Sequence, residues 1–122
     1  MLGMADKVHA ESKLTALTIL PDVILDKGFT LKDPNAIDLL GINIYPSLGV
    51  TWDTNGCTYN DNLYTTMLVC SIKKLRALGY TGEIWYVYQD FMLDDPRLAK
   101  QAETIQSAEK LGVSGLVAYH LQ

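Results

Sequence analysis

Apolar residues recur at three- and four-residue steps from Leu63 through Met67, Cys70, Ile72 and Leu75 to Leu78. That spacing predicts an amphipathic helix. Asn60 or Asp61 can cap its start, and Gly79 stands where a left-handed C-terminal cap favours glycine. A second helix is expected from Asp95, a natural N-cap, with Pro96 at the first helical position. Its stripe is Leu98, Ala102, Ile105, Ala108 and Leu111, and Gly112 repeats the part of Gly79. Each helix is followed by an apolar run, Glu83–Gln89 and Leu116–Gln122. Such runs, apolar throughout instead of alternating, suit strands buried on both faces. A third strand spans Ala36–Tyr45 and is stopped by Pro46. A weaker one, Leu14–Leu20, follows a short helical stretch and is ended by Pro21. Residues 21–35 are loop-rich, with room for one helical turn. Residues 47–59 form the longest irregular stretch, with turn-favouring Gly49, Asp53, Asn55 and Gly56.

The phrase Leu78-Gly79-Tyr80-Thr81-Gly82 returns 33 residues later as Leu111-Gly112-Val113-Ser114-Gly115. Tyr86 and Tyr119, and Gln89 and Gln122, match at the same offset. A repeat of helix, glycine turn and apolar strand marks successive αβ units. The order strand, loop, strand, long loop, helix, strand, helix, strand predicts an α/β fold with a parallel sheet and right-handed crossovers. Residues 1–122 read as one domain.

Three phrases carry a family likeness. Ile37-Asp38-Leu39-Leu40-Gly41-Ile42-Asn43-Ile44-Tyr45-Pro46 resembles the sixth strand of (β/α)₈-barrel glycoside hydrolases. Ile84-Trp85-Tyr86-Val87-Tyr88-Gln89-Asp90-Phe91 is similar to their seventh, and Gly112 to Leu121 to their eighth. The resemblance covers roughly residues 13–122, the C-terminal half of such a barrel. It implies parallel βα units equivalent to half of a TIM barrel. It also implies a carbohydrate-binding domain, or a residual or inactive glycosidase. Retaining members use two carboxylates. The acid/base of the fourth strand would lie upstream of this chain. The nucleophile position falls on Tyr88, or on Gln89 with a one-residue slip, and Asp90 is the nearest acid. A single chain should therefore not hydrolyse glycosides by the two-carboxylate route.

Ligands of parallel α/β folds gather beyond the carboxyl ends of the strands. Asn43, Tyr45, Tyr88, Gln89, Asp90, His120 and Gln122 are expected there, with Trp52 and Asp53 from the loop. Gln89 and Asp90 are the candidates for catalysis. Asn43, Tyr45, Trp52, Tyr88 and His120 are the candidates for saccharide binding, by aromatic faces and fixed polar groups. Duller roles compete. Tyr45, Tyr86, Tyr88 and Tyr119 also suit sheet packing, and Trp85 reads as core. His120 also suits a buried, hydrogen-bonded role, and Asp94 and Asp95 suit helix capping. Glu83 opens its strand at the opposite face.

Composition and charge narrow the partners. The chain has 122 residues, 48% of them apolar, and a net charge of −4. Only Lys73, Lys74 and Arg76 cluster, as the solvated face of a helix, so a nucleic-acid partner is not expected. No membrane segment, cofactor or metal site is legible. Cys57 and Cys70 leave a disulfide open, but the reading adopted is two reduced thiols in a cytoplasmic protein. A half barrel exposes two strand edges, which invite pairing with another chain. Completion by self-association as a homo-oligomer is therefore expected. The alternatives are a non-catalytic self-associating module or a fragment of a larger barrel. G-x-G-x-x-G, P-loop and G-x-S-x-G motifs are absent, which removes support for dinucleotide, nucleotide and serine-hydrolase chemistry.

Overall fold

A computed structural model describes residues 15–48 and 52–120. Four strands, β1 (Ala16–Ile19), β2 (Leu39–Ile44), β3 (Glu83–Gln89) and β4 (Gly115–Tyr119), form one sheet. Among the described residues three helices accompany them: α1 (Pro21–Leu25), α2 (Leu63–Ala77) and α3 (Leu98–Ser107). Every strand pair is parallel, and the spatial order is β1-β2-β3-β4, with no reversal. A parallel sheet wound in chain order carries its crossover helices on one face. The core lies on that face. Leu40, Ile42, Ile44, Ile84 and Tyr86 pack there against Ile24, Met67, Leu68, Ile72 and Leu75.

The expected αβ repeat has a clear local cause. Gly79 and Gly112 end their helical segments at φ +97° and +105°, a left-handed conformation that costs other residues strain. Gly115 answers a different need, since a Cβ there would lie 2.7 Å from the Trp85 ring. Trp85 is thus not in the main core. It lies on the helix-free face, over Gly115, because its register partner carries no side chain.

Several expected boundaries move. β2 begins at Leu39, because Pro34–Ala36 form a 3-10 turn. The cap of α2 is Asn62, neither Asn60 nor Asp61; its Oδ1 accepts from the N–H groups of Tyr64 and Thr65. α3 begins at Leu98 instead of Pro96. Asp95 caps the turn before it, accepting from Arg97 N–H at 2.9 Å. The expected stripe holds at Ala108, which is buried, and at Ile105 and Leu111, which pack against the core, but not throughout. Ala102 is exposed, and Gln101 and Thr104 are buried instead. These two are buried beside that stripe because each meets a fixed polar partner: Gln101 the backbone of Gln89, Thr104 the hydroxyl of Thr65 at 2.7 Å. The helical stretch expected before Leu14 lies outside the described residues.

The cysteines correct the reduced-thiol reading. Cys57 and Cys70 form a disulfide, and no cysteine is free. The loop before α2 folds back over the buried first half of that helix, and this brings Cys57 onto Cys70. Asn55 adds a second tether, its amide donating to Leu25 O. Two members of the basic cluster are likewise tied down. Arg76 donates to Tyr80 O and Gly82 O, and Lys74 to Asp26 O. Among the described residues no helix is long and apolar enough to cross a membrane.

Candidate functional site

The carboxyl ends of β2, β3 and β4 meet on the helix-free face. Pro46 lacks an N–H and halts β2 just after Tyr45. β3 ends at Gln89, followed by Asp90 and Phe91, and β4 ends at Tyr119, followed by His120. Side chains two apart on a strand share a face. Asn43, Tyr45, Val87, Gln89, Val117 and Tyr119 therefore line the side away from the helices. Tyr45, Val87 and Phe91 form an apolar cluster separate from the main core.

Three rings close this cluster. Tyr45 lies 5.7 Å from Phe91 and 5.3 Å from Tyr119, and Phe91 lies 5.9 Å from Tyr119. These are favourable aromatic spacings. Tyr45 is buried, which, with the neighbouring Tyr119, pushes its phenol up to about 12. Its hydroxyl stays protonated across the biological range. Tyr119 is 45% exposed and presents the cluster to solvent. One residue beyond β3 and β4, Asp90 Oδ2 lies 2.7 Å from His120 Nδ1. Asp90 N–H donates to Tyr119 O at 2.9 Å, so the two strand ends are joined at the pair.

Gln89 lies beneath, 1% exposed. Its Oε1 accepts from Ser47 N–H at 2.9 Å, and its Nε2 donates to Ser47 Oγ at 2.5 Å and Phe91 O at 2.8 Å. Ser47 Oγ donates onward to Asp95 Oδ2 at 2.5 Å. Asp95 also receives Arg97, at 2.6 Å. The Arg97 side chain, then the Ser47 hydroxyl and the Arg97 backbone N–H, hold the Asp95 carboxyl well below the usual carboxylate range. The network ties the loops after β2 and β3 to one another. Met92, at φ +51°, shows that the second loop also holds a non-glycine residue in the left-handed region.

The structure places Tyr45 and Gln89 on one face and pairs Asp90 with His120 one residue beyond β3 and β4, where alternation turns them to the other face. Asn43 lies one side-chain step below Tyr45 on the same face, and its buried Oδ1 has no hydrogen-bond partner. Tyr88 and Trp52 lie elsewhere. Tyr88 faces the helices, 6.0 Å from Tyr86. Trp52 packs edge-on against Tyr64 at 5.3 Å, on the first turn of α2. Asp53 caps its own turn, accepting from Asn55 N–H, and Gln122 lies outside the described residues. Sequence reasoning missed Phe91, Ser47, Arg97 and Gln101, and gave Tyr119 only a packing role. The alternation of β4 with β3 could have found Tyr119; nothing local marks Gln101.

Chemically, the helix-free face offers an aromatic platform, and the strand ends add one exposed imidazole paired with a carboxylate. Among the described residues no group of three or more His, Cys, Asp or Glu side chains could hold a metal ion. In comparisons with known proteins, no family model, curated protein or solved structure matches this chain.

Proposed function

We propose that the chain is a half barrel of the glycoside-hydrolase type that binds a saccharide at the carboxyl ends of its strands, without two-carboxylate hydrolysis. One observation carries this reading: the Tyr45, Phe91 and Tyr119 rings form a platform at the strand ends, with Tyr119 exposed to solvent. Aromatic faces meet the C–H surface of a sugar ring, and charged polar groups meet its hydroxyls. The unpartnered Asn43 Oδ1 on the same face supports it. The seventh-strand resemblance supports a binding rather than hydrolytic role. The position of the nucleophile holds Tyr88 or Gln89, and the Gln89 amide is fully engaged. The Cys57–Cys70 disulfide favours an oxidising compartment over the cytoplasm.

The test is saturation-transfer NMR and calorimetry against a panel of mono- and oligosaccharides at millimolar concentration. Binding that disappears in Tyr119→Ala, with the fold intact, is the expected result. No binding across the panel overturns the proposal.

A second reading concerns assembly. Both outer strands expose apolar side chains, Leu17 on β1 and Leu116, Val117 and Tyr119 on β4. Among the described residues the strand order, without reversal, leaves β1 and β4 as the edges of the sheet. Two copies pairing β4 with β1 at both seams would give eight strands in one continuous order and bury the helix-free face. Light scattering should give twice 13.5 kDa. A monomer at high concentration overturns this assembly.

A further inference from the structure

Cys70, Lys73, Lys74 and Ala77 follow one another on α2 at steps of three and four residues, so they share one face of that helix. With Leu25, Lys27 and Cys57 they line a cavity of about 430 Å³. The chain as a whole carries a net charge of −4. Yet among the described residues three lysines, and no Asp or Glu, line this cavity. Asp22, Asp26 and Asp53 line an adjoining cavity that shares only Asn55 with it. Lys74 is held in place: its Nζ donates to Asp26 O and lies 5.6 Å from the centre of the Phe29 ring. The Cys57–Cys70 disulfide is part of the same wall. Its two halves differ in access, since Cys57 is half-buried and Cys70 is 2% exposed. A positive, partly apolar cavity therefore adjoins the accessible half of a disulfide.

We propose that this cavity takes a low-molecular-weight thiol that bears carboxylates, and that the bound thiol reduces the Cys57–Cys70 bond by exchange. The site is separate from the strand ends and does not depend on the saccharide reading. The ligand's carboxylates meet the lysine ammonium groups. The same positive charges favour the thiolate over the thiol, and the thiolate is the attacking species. It attacks Cys57 Sγ, the more accessible sulfur. The bond between the two protein sulfurs breaks, and its electron pair leaves with Cys70 Sγ, which takes a proton from water. A second ligand thiolate then attacks the ligand's own sulfur in the mixed disulfide, and Cys57 departs as a thiolate and is protonated. Two ligand thiols are oxidised to one ligand disulfide, the protein disulfide is reduced to two thiols, and the protons that the ligands lose end on the cysteines. The exchange removes the covalent tie between α2 and the loop that carries Trp52 and Asn55.

The experiment uses the oxidised chain under native conditions with two probes: glutathione, which bears carboxylates, and cysteamine, whose only other charged group is a cation. Release of protein thiols is followed at equal thiolate concentration. At low salt, glutathione should reduce the protein faster than cysteamine by about tenfold or more, and the preference should shrink as salt rises. Lys27→Gln/Lys73→Gln, at two exposed positions, should remove most of the preference and leave thermal stability unchanged. Oxidised glutathione should add to Cys57 in Cys70→Ser and not to Cys70 in Cys57→Ser. Equal rates with the two probes in the wild type overturn the proposal. So does a disulfide that is reduced only once urea unfolds the chain, which would show a purely structural crosslink. A glutathione preference that survives the lysine variant at full size overturns the cavity as its source. Equal labelling of the two cysteine variants overturns Cys57 as the attacked sulfur.

Discussion

The side-chain amide of Gln101 brackets the backbone of Gln89. Its Oε1 accepts from Gln89 N–H at 2.9 Å, and its Nε2 donates to Gln89 O at 2.8 Å. The ladder to β2 ends one pair earlier, at Ile44 and Tyr88. A glutamine of α3 therefore takes the place of a strand at the end of β3, directly under the candidate site. Gln101→Ala leaves a buried donor and a buried acceptor unpaired. The expected loss is about 2–4 kcal/mol, on the order of 1–3 per unsatisfied group with partial relaxation. Urea denaturation measures it, and a loss under ~0.5 kcal/mol would show that water replaces the amide.

The disulfide closes a loop with a sequence separation of 13. Constraining a loop of this size in the unfolded chain stabilises by roughly 3 kcal/mol. Reduction, or the Cys57→Ser/Cys70→Ser double variant, should lower the denaturation midpoint accordingly. Thiol titration of the unreduced, unfolded chain should find no free thiol; two would refute the pairing.

Two buried tyrosines should respond in opposite ways to loss of the hydroxyl. Tyr80 Oη donates to Glu83 O at 2.8 Å, so Tyr80→Phe should cost about 1 kcal/mol. Tyr86 is fully buried, and its hydroxyl has no partner. Tyr86→Phe should be neutral or stabilising. Burial pushes the Tyr86 phenol far above its ordinary value. Thermal melts of the two variants side by side decide the matter, and a matching loss in both would contradict the difference in partners.

Asp95 sets an acid limit. Its carboxyl is held low in the folded state, first by the Arg97 side chain and then by the Ser47 hydroxyl. A depressed folded value stabilises the fold above the unfolded carboxyl range, near pH 4. That contribution is lost as pH falls through the folded value. Stability of the wild type should therefore decline below about pH 4 more steeply than that of Asp95→Asn. Parallel slopes in denaturation series from pH 2 to 7 would refute the assignment.

Met92 is exposed and sits at φ +51°. L-residues bear a penalty of roughly 1–2 kcal/mol in that region, partly offset by the chain entropy of glycine. Met92→Gly should raise stability by about 0.5–1 kcal/mol. A loss would mean that the Met92 side chain makes contacts worth more than the strain.

The sequence by itself determined the αβ alternation, the parallel sheet and the strand ends as the place where polar and aromatic groups collect. These depend on period and punctuation: Gly79 and Gly112 at helix ends, Pro46 and Pro21 after strands, and apolar runs at β2 and β3. All are local signals. Only the tertiary structure decided which faces these elements present and what their polar groups meet. Gln101 and Thr104 are inward on α3 because Gln89 and Thr65 lie opposite. Trp85 leaves the core because Gly115 makes room beside it. Cys57 reaches Cys70 because a long loop folds back on α2. Each outcome depends on a partner 12 or more residues away, and local pattern does not encode such a partner. The clustering of Tyr45, Phe91 and Tyr119 has the same origin: three strand ends converge only once the register of the sheet is set.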